Sequence, residues 1–548
     1  MKKVLSVILS FLLIVLSVHP VFAAVKDDEI VVASSKSIVP VIRILGDGEP
    51  LYDAEGNRLY HHLSNILGDN KDESGDSDIY ESIANVLMPF LKEGLLMNNW
   101  EPYYENLQKE IGEITGDSKL DNNGNPLPGT GLSPEKREYM ATAATKNQGK
   151  KGYFGINDYR FWYDWRLDPI DTAAQLHEYI QAIKKITGKD KVAIVASCIG
   201  TIITTTYVAL YGVEDIHGIA YTGSVATGAE MLSEVISGKF YTDSYSIQRF
   251  IDDCNYIGVF NLNEFINTTL ELVLKTGIVE GAIETIRMTL YDKLVHGVTS
   301  ALALSTFFTY PSYWAAVTNE DYENAMLHVF GETGSAKRTE YAGLISRIEN
   351  YHNTVRVNLD SIIRSIGEGG ANFGAIVKYG FQIMPICESS YAVADEYVSV
   401  KRASFGATTA NIFETLTEDY IAKRTNLGYG KYISPDKQID ASTCIYPDST
   451  WFVKNSHHSN YTKAETKLLY DVATAPKQLS IDDFEYTQFM VYNYETTEMH
   501  AMTEENCSTE QWKDDKPSES IKEKLNDFVE FFKTFYSWIR LLFDMLFN

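Results

Sequence analysis

Lys191 to Leu210 reads KVAIVASCIGTIITTTYVAL, and this stretch decides the fold. Val192 to Ala196 is a short apolar run of β-branched and small residues, the composition of a strand buried on both faces. A tight turn follows at Ala196-Ser197-Cys198-Ile199-Gly200, and then a helix. A nucleophile carried on a sharp strand-to-helix turn sits in a strained conformation, and the residues two places either side of it come too close for large side chains. With Cys198 at the centre those flanks are Ala196 and Gly200. With Ser197 at the centre they are Val195 and Ile199, which would clash. The expected nucleophile is therefore a thiol.

Outward from the turn, Tyr159 to Asp168 reads as an aromatic strand, Asp171 to Ile186 as a helix with one apolar face, and His217 to Gly223 as the next strand. This order requires a parallel sheet with right-handed crossovers, with Cys198 at the carboxyl end of a central strand. Upstream, Ser37 to Leu45 reads as a strand running into the glycine turn Gly46-Asp47-Gly48, the kind of turn after an early strand that can carry a backbone oxyanion donor. From about Ala229 to Gly370 strand signals give way to helical apolar runs, and sheet-like sequence returns at Gly374 to Ile386. Later, Asp436 stands at a turn and His457 and His458 follow the strand around Trp451. The order nucleophile, acid, histidine is that of an α/β-hydrolase. The expected architecture is an α/β-hydrolase fold, a mostly parallel sheet with helices on both faces. Its core spans 25–228 and 371–503, interrupted by a helical lid over 229–370. Such a lid points to lipid-like acyl substrates.

Met1-Lys2-Lys3, the apolar run Val4 to Val18 and the small residues Ala23-Ala24 have the pattern of a secretory signal peptide over 1–24. A secreted protein, free or at a cell surface, is expected. The formal net charge of −26, with no basic cluster, argues against a nucleic-acid partner. The five cysteines are widely spaced and lack any C-x-x-C, so they describe neither a disulfide framework nor a zinc site, and no metal or cofactor is expected. Asp117 to Gly131 reads as a solvated loop without the spacing of a calcium-binding hand. After a polar linker over 504–520, residues 521–548 form an amphipathic helical pattern. Its four charges between Phe528 and Phe547 do not suit a bilayer span, so it is expected on a membrane surface, on a partner or on the chain's own core. Oligomeric state is not readable.

Tyr163-Asp164-Trp165-Arg166, placed before the elbow, resembles the Y-D-W-R of the lecithin:cholesterol acyltransferase and lysosomal phospholipase branch of the α/β-hydrolases. Tyr310-Pro311-Ser312 and Pro435-Asp436-Lys437-Gln438-Ile439 support the likeness, which runs from Val39 to His458. It implies Cys198, Asp436 and His458 as a triad, with His457 and Asp440 as rivals, and Asp47 and Ile199 as oxyanion donors. Asp164 and Arg166 are read as a structural pair near the site. Cysteine replaces the family's serine, and Ala196 replaces the first glycine of its elbow. Two functions remain open: a lipase, esterase or acyltransferase with a thioester acyl-enzyme, or a binding protein on a hydrolase scaffold.

Overall fold

The structure, a computed structural model, describes residues 39–46, 50–56, 99–146, 151–152, 155–241, 303–483, 486–493 and 496–507, with isolated positions between them. The signal-peptide pattern, Asp47, much of the expected lid and the amphipathic segment 521–548 lie outside the described residues.

Eight strands form one sheet. In chain order they are β1 (Val41–Ile44), β2 (Asp158–Arg160), β3 (Val192–Cys198), β4 (Ile216–Ser224), β5 (Asn372–Tyr379), β6 (Thr450–Lys454), β7 (Phe489–Asn493) and β8 (Glu498–Ala501). Across the sheet they run β8-β7-β6-β5-β4-β3-β1-β2. Every neighbouring pair is parallel except β7 with β8. From β1 the chain steps out to the edge strand β2, crosses back to β3 on the other side of β1 and then runs outward to β8; β3 is buried along its whole length.

Period-two alternation of side chains explains why both faces of these strands are apolar. Ile42, Ile194, Ala196, Ile219 and Phe373 join the larger core, which includes Ile202 and Ile203 of α3 (Ile199–Tyr211). Val41, Ala193, Val195, Ala220 and Ile376 face the other way, onto Leu468, Leu469 and Val472 of α6 (Lys463–Thr474). Helices thus cover both faces, and the fold is α/β.

The expected strand Tyr159 to Asp168 is extended only as far as Arg160. Beyond it the chain turns, because Asp164 and Arg166 pair with each other, and Asp168 caps α2 (Pro169–Thr187) by accepting a hydrogen bond from Ile170 N–H at 2.9 Å. Helix α3 forms despite six threonine or isoleucine residues between Thr201 and Thr206. The hydroxyls of Thr201, Thr204 and Thr206 donate to carbonyls three or four residues back, which satisfies them inside the core.

Between β4 and β5 the described chain is helical. It begins with α4 (Glu230–Ser237) and ends with α5 (Leu359–Glu368), whose Ile362, Ile363 and Ile366 face the core. The buried Arg356 anchors this region to the sheet by donating to the carbonyls of Ala226 and Ala315. Among the described residues no helix is long and apolar enough to cross a membrane.

Candidate active site

Cys198 ends β3 with φ 49° and ψ −131°, a conformation that costs a residue with a β-carbon roughly 1–3 kcal/mol. The surrounding packing imposes it. A β-carbon on Gly200 would lie 2.1 Å from the carbonyl oxygen of Ile44, so α3 and β1 touch backbone to backbone at the turn. Ser197 is buried one step down the strand. The register is therefore the one with Cys198 at the apex. Ile199 opens α3, so its N–H belongs to the first turn, whose donors have no partner within the helix and favour negative charge. Tyr163 braces the facing strand end by donating its phenol to the carbonyl of Leu45 at 2.5 Å.

His458 lies on the loop after β6 and is almost fully buried. Its Nδ1 is 2.8 Å from Asp395 Oδ2, and its backbone N–H donates to the carbonyl of Asp395 at 2.9 Å. The carboxylate on Nδ1 assigns the proton there and leaves Nε2 as the basic nitrogen. Asp395 is itself held, its Oδ1 accepting from the N–H groups of Tyr397 and Val398 at 3.2 and 3.0 Å. The imidazole covers the end of β4: a β-carbon on Gly223 would lie 3.0 Å from His458 Cε1. Gly223 precedes Ser224, the residue paired with Cys198 across the β3–β4 ladder. Thiol, imidazole and carboxylate therefore gather at the carboxyl end of the central strands, where open α/β sheets place their ligands.

Two devices fix the histidine loop. Lys378, on β5 and 1% exposed, donates its ammonium to the carbonyls of His458 and Asn460 and stands 4.2 Å over the ring of Tyr461. Burial lowers its pKa, while Glu465 and Asp395 pull it back up. Thr462 and Glu465 form a capping box at the start of α6, and Glu465 also accepts from Ser456 at 3.0 Å.

The expectation that Asp436 backs the histidine is not met. Asp436 accepts from Lys454 Nζ at 2.9 Å, Tyr379 Oη at 3.0 Å and Ser434, so its charge is neutralised by a buried ammonium. The rival Asp440 is fully buried against Arg424 and Tyr420 and caps residues 441–443. His457 is pushed down to about 3 by burial and by the neighbouring Lys378 ammonium, which unfits it as a base near neutrality. Asp164 and Arg166 form a two-pronged ion pair, and Arg166 also donates to the carbonyl of Ser118 at 2.7 Å. Trp165 between them packs on Tyr310 and Tyr313. The motif thus joins the sheet to the helical insertion. Cys387 and Cys444 are buried, and burial raises both thiols, Cys444 to about 12.

Asp395 is the residue that sequence reasoning missed. A signal was present: Ala394-Asp395-Glu396 is close behind the sheet-like stretch beginning near Gly374, whereas Asp436 stands much later in the same long connection. Among the described residues no group of three or more histidines, cysteines or carboxylates is arranged to hold a metal ion.

No protein-family model matches this chain, and no curated protein matches it. Among solved structures, one described as "The crystal structure of Tle4-Tli4 complex" is similar at 13% identity, covering 62% of this chain and 75% of that chain with a TM-score of 0.23. A likeness of that size bears on neither substrate nor activity. What the sheet order and the flanking helices establish is an α/β fold with a mostly parallel eight-stranded sheet, and Cys198 on a strand-to-helix turn at its centre.

Proposed function

We propose that this chain is an acyl hydrolase or acyltransferase acting on lipid-like esters through Cys198, His458 and Asp395. The observation that carries the reading is the strained Cys198 at the mouth of α3, on the same sheet end as a buried His458–Asp395 pair. His458 Nε2 accepts the thiol proton, and Asp395 holds the opposite nitrogen protonated and stabilises the imidazolium that results. The Cys198 sulfur attacks the ester carbonyl, whose oxyanion meets the N–H of Ile199, a donor of a kind worth roughly 3 kcal/mol in such sites. Collapse expels the alcohol, which takes the proton from His458, and leaves a thioester on Cys198. Water or an acceptor alcohol, deprotonated by His458, then attacks that thioester and restores the thiol. The proposed preference for lipid esters and the likeness to the lecithin:cholesterol acyltransferase branch rest on Tyr163–Arg166 and the helical insertion, and secretion rests on the first 24 residues.

The test uses p-nitrophenyl esters of short and long chain. Cys198→Ala is expected to lower turnover at least about 1000-fold and to remove the fast-reacting iodoacetamide site. Full turnover by that variant overturns the reading.

A further inference from the structure

A groove of about 700 Å³ lies on the flank of the molecule, between α1 (Glu101–Thr115) and the chain around Phe308 and Tyr341. Its floor is aromatic: Phe308 and Tyr341 are buried and meet edge to face with centroids 5.1 Å apart. Two ammoniums stand over that floor, Lys337 at 4.4 Å and Lys119 at 5.4 Å from the centre of the same Phe308 ring. Lys119 is also 6.0 Å from the ring of Tyr341.

Acidic residues outnumber basic ones, 74 against 48. Lys184, Lys239, Lys431, Lys454 and Lys467 each pair with an aspartate. Lys119 and Lys337 pair with none among the described residues, although Glu105 and Glu340 line the same groove. Burial and the like charge of Lys119 lower the pKa of Lys337. Two cations that share one ring and no carboxylate are held in mutual repulsion, which an arriving anion relieves.

We propose that Lys119 and Lys337 form a binding site for a phosphate group, free or carried on a small organic or lipid headgroup, with the Phe308–Tyr341 floor taking the apolar part of the ligand. Phosphate fits the site because it presents several oxygens to two separate ammoniums, whereas a lone carboxylate offers less charge to share. Lys119 adjoins Ser118, whose carbonyl receives Arg166 and whose hydroxyl meets Tyr310 at 2.6 Å, so the groove connects to the braced Tyr163–Arg166 turn. The site stands whether or not Cys198 turns over an ester.

The full-length protein is titrated with inorganic phosphate, with glycerol phosphate, and with phosphatidylcholine vesicles with or without phosphatidic acid. Wild type is expected to bind at least one phosphate-bearing probe, with an affinity that falls as salt rises. Lys119→Gln/Lys337→Gln is expected to weaken that binding at least 10-fold, with unchanged thermal midpoint and unchanged ester turnover. Binding by glycerol phosphate at least as tight as by vesicles assigns a soluble ligand, and binding by phosphatidic acid vesicles alone assigns a lipid headgroup. Lys119→Glu keeps the proposal falsifiable if the double variant folds poorly, since one reversed charge should abolish binding. Equal binding by wild type and either folded variant, or no binding of any probe by wild type, overturns it.

Discussion

Asp395 and Asp436 lie on the same long connection between β5 and β6, and both are buried near the ends of those strands. Their neighbours separate them. Asp395 meets an imidazole and two backbone N–H groups. Asp436 meets the ammonium of Lys454 and the phenol of Tyr379. A carboxylate facing a neutral imidazole keeps its charge for the moment that ring is protonated. A carboxylate already beside a lysine has spent that charge on structure. In this fold the partner's charge, more than the acid's place in a turn, decides which aspartate serves the site.

The contrast is broken most directly by exchanging each acid for its amide. Asp395→Asn should lower ester turnover about 10⁴-fold with little change in the unfolding midpoint, because the histidine loses the group that selects its tautomer. Asp436→Asn should do the reverse: turnover per folded molecule within about threefold of wild type, and stability lower by about 3 kcal/mol in urea unfolding, because Lys454 is left buried without its anion. If Asp436→Asn removes turnover in a stable protein while Asp395→Asn spares it, the assignment is reversed. A smaller effect is expected at Lys378, which holds the histidine loop from beneath. Lys378→Met should lower kcat about 10-fold with KM nearly unchanged, and Lys378→Arg should restore part of it.

Glu234 sharpens the comparison as a carboxylate whose nearest fixed partner is neutral. It accepts from the N–H of Ser389 at 3.2 Å, and burial, with Glu230 adding to it, pushes it up to about 7. The folded chain thus keeps a proton that the unfolded chain releases near 4.5, so stability should fall as pH rises from about 4.5 through 7 and level off above. The loss is at most roughly 3 kcal/mol. Glu234→Gln should flatten that slope and melt higher than wild type at pH 8, as read by thermal unfolding across pH. An unchanged slope would show that Glu234 titrates normally.

The elbow was legible because its requirements are local. Small residues two places either side of Cys198 answer a steric demand that acts within five positions, and the 2.1 Å approach at Gly200 is that demand made visible. The parallel strands were legible for a similar reason, since β-branched runs separated by an amphipathic helix admit few topologies. The acid was not. Asp395 and Asp436 both stand in irregular chain, and what distinguishes them is Lys454 and His458, partners fixed by the tertiary fold. The aromatic segment from Phe161 to Arg166 misled for the same reason, because its strand-like composition serves packing on Tyr310 and Tyr313 across the insertion.

The double attachment of His458, by side chain and by backbone to a residue 63 positions earlier, has a consequence for assembly. Cys198 lies far upstream of both, so the site is made almost wholly of distant contacts, and such contacts form late and slowly because long loops must close first. Ester turnover would then report completion of the whole topology rather than formation of any one segment. A chain released before residue 458 has been made would carry the strained thiol with no base to use it.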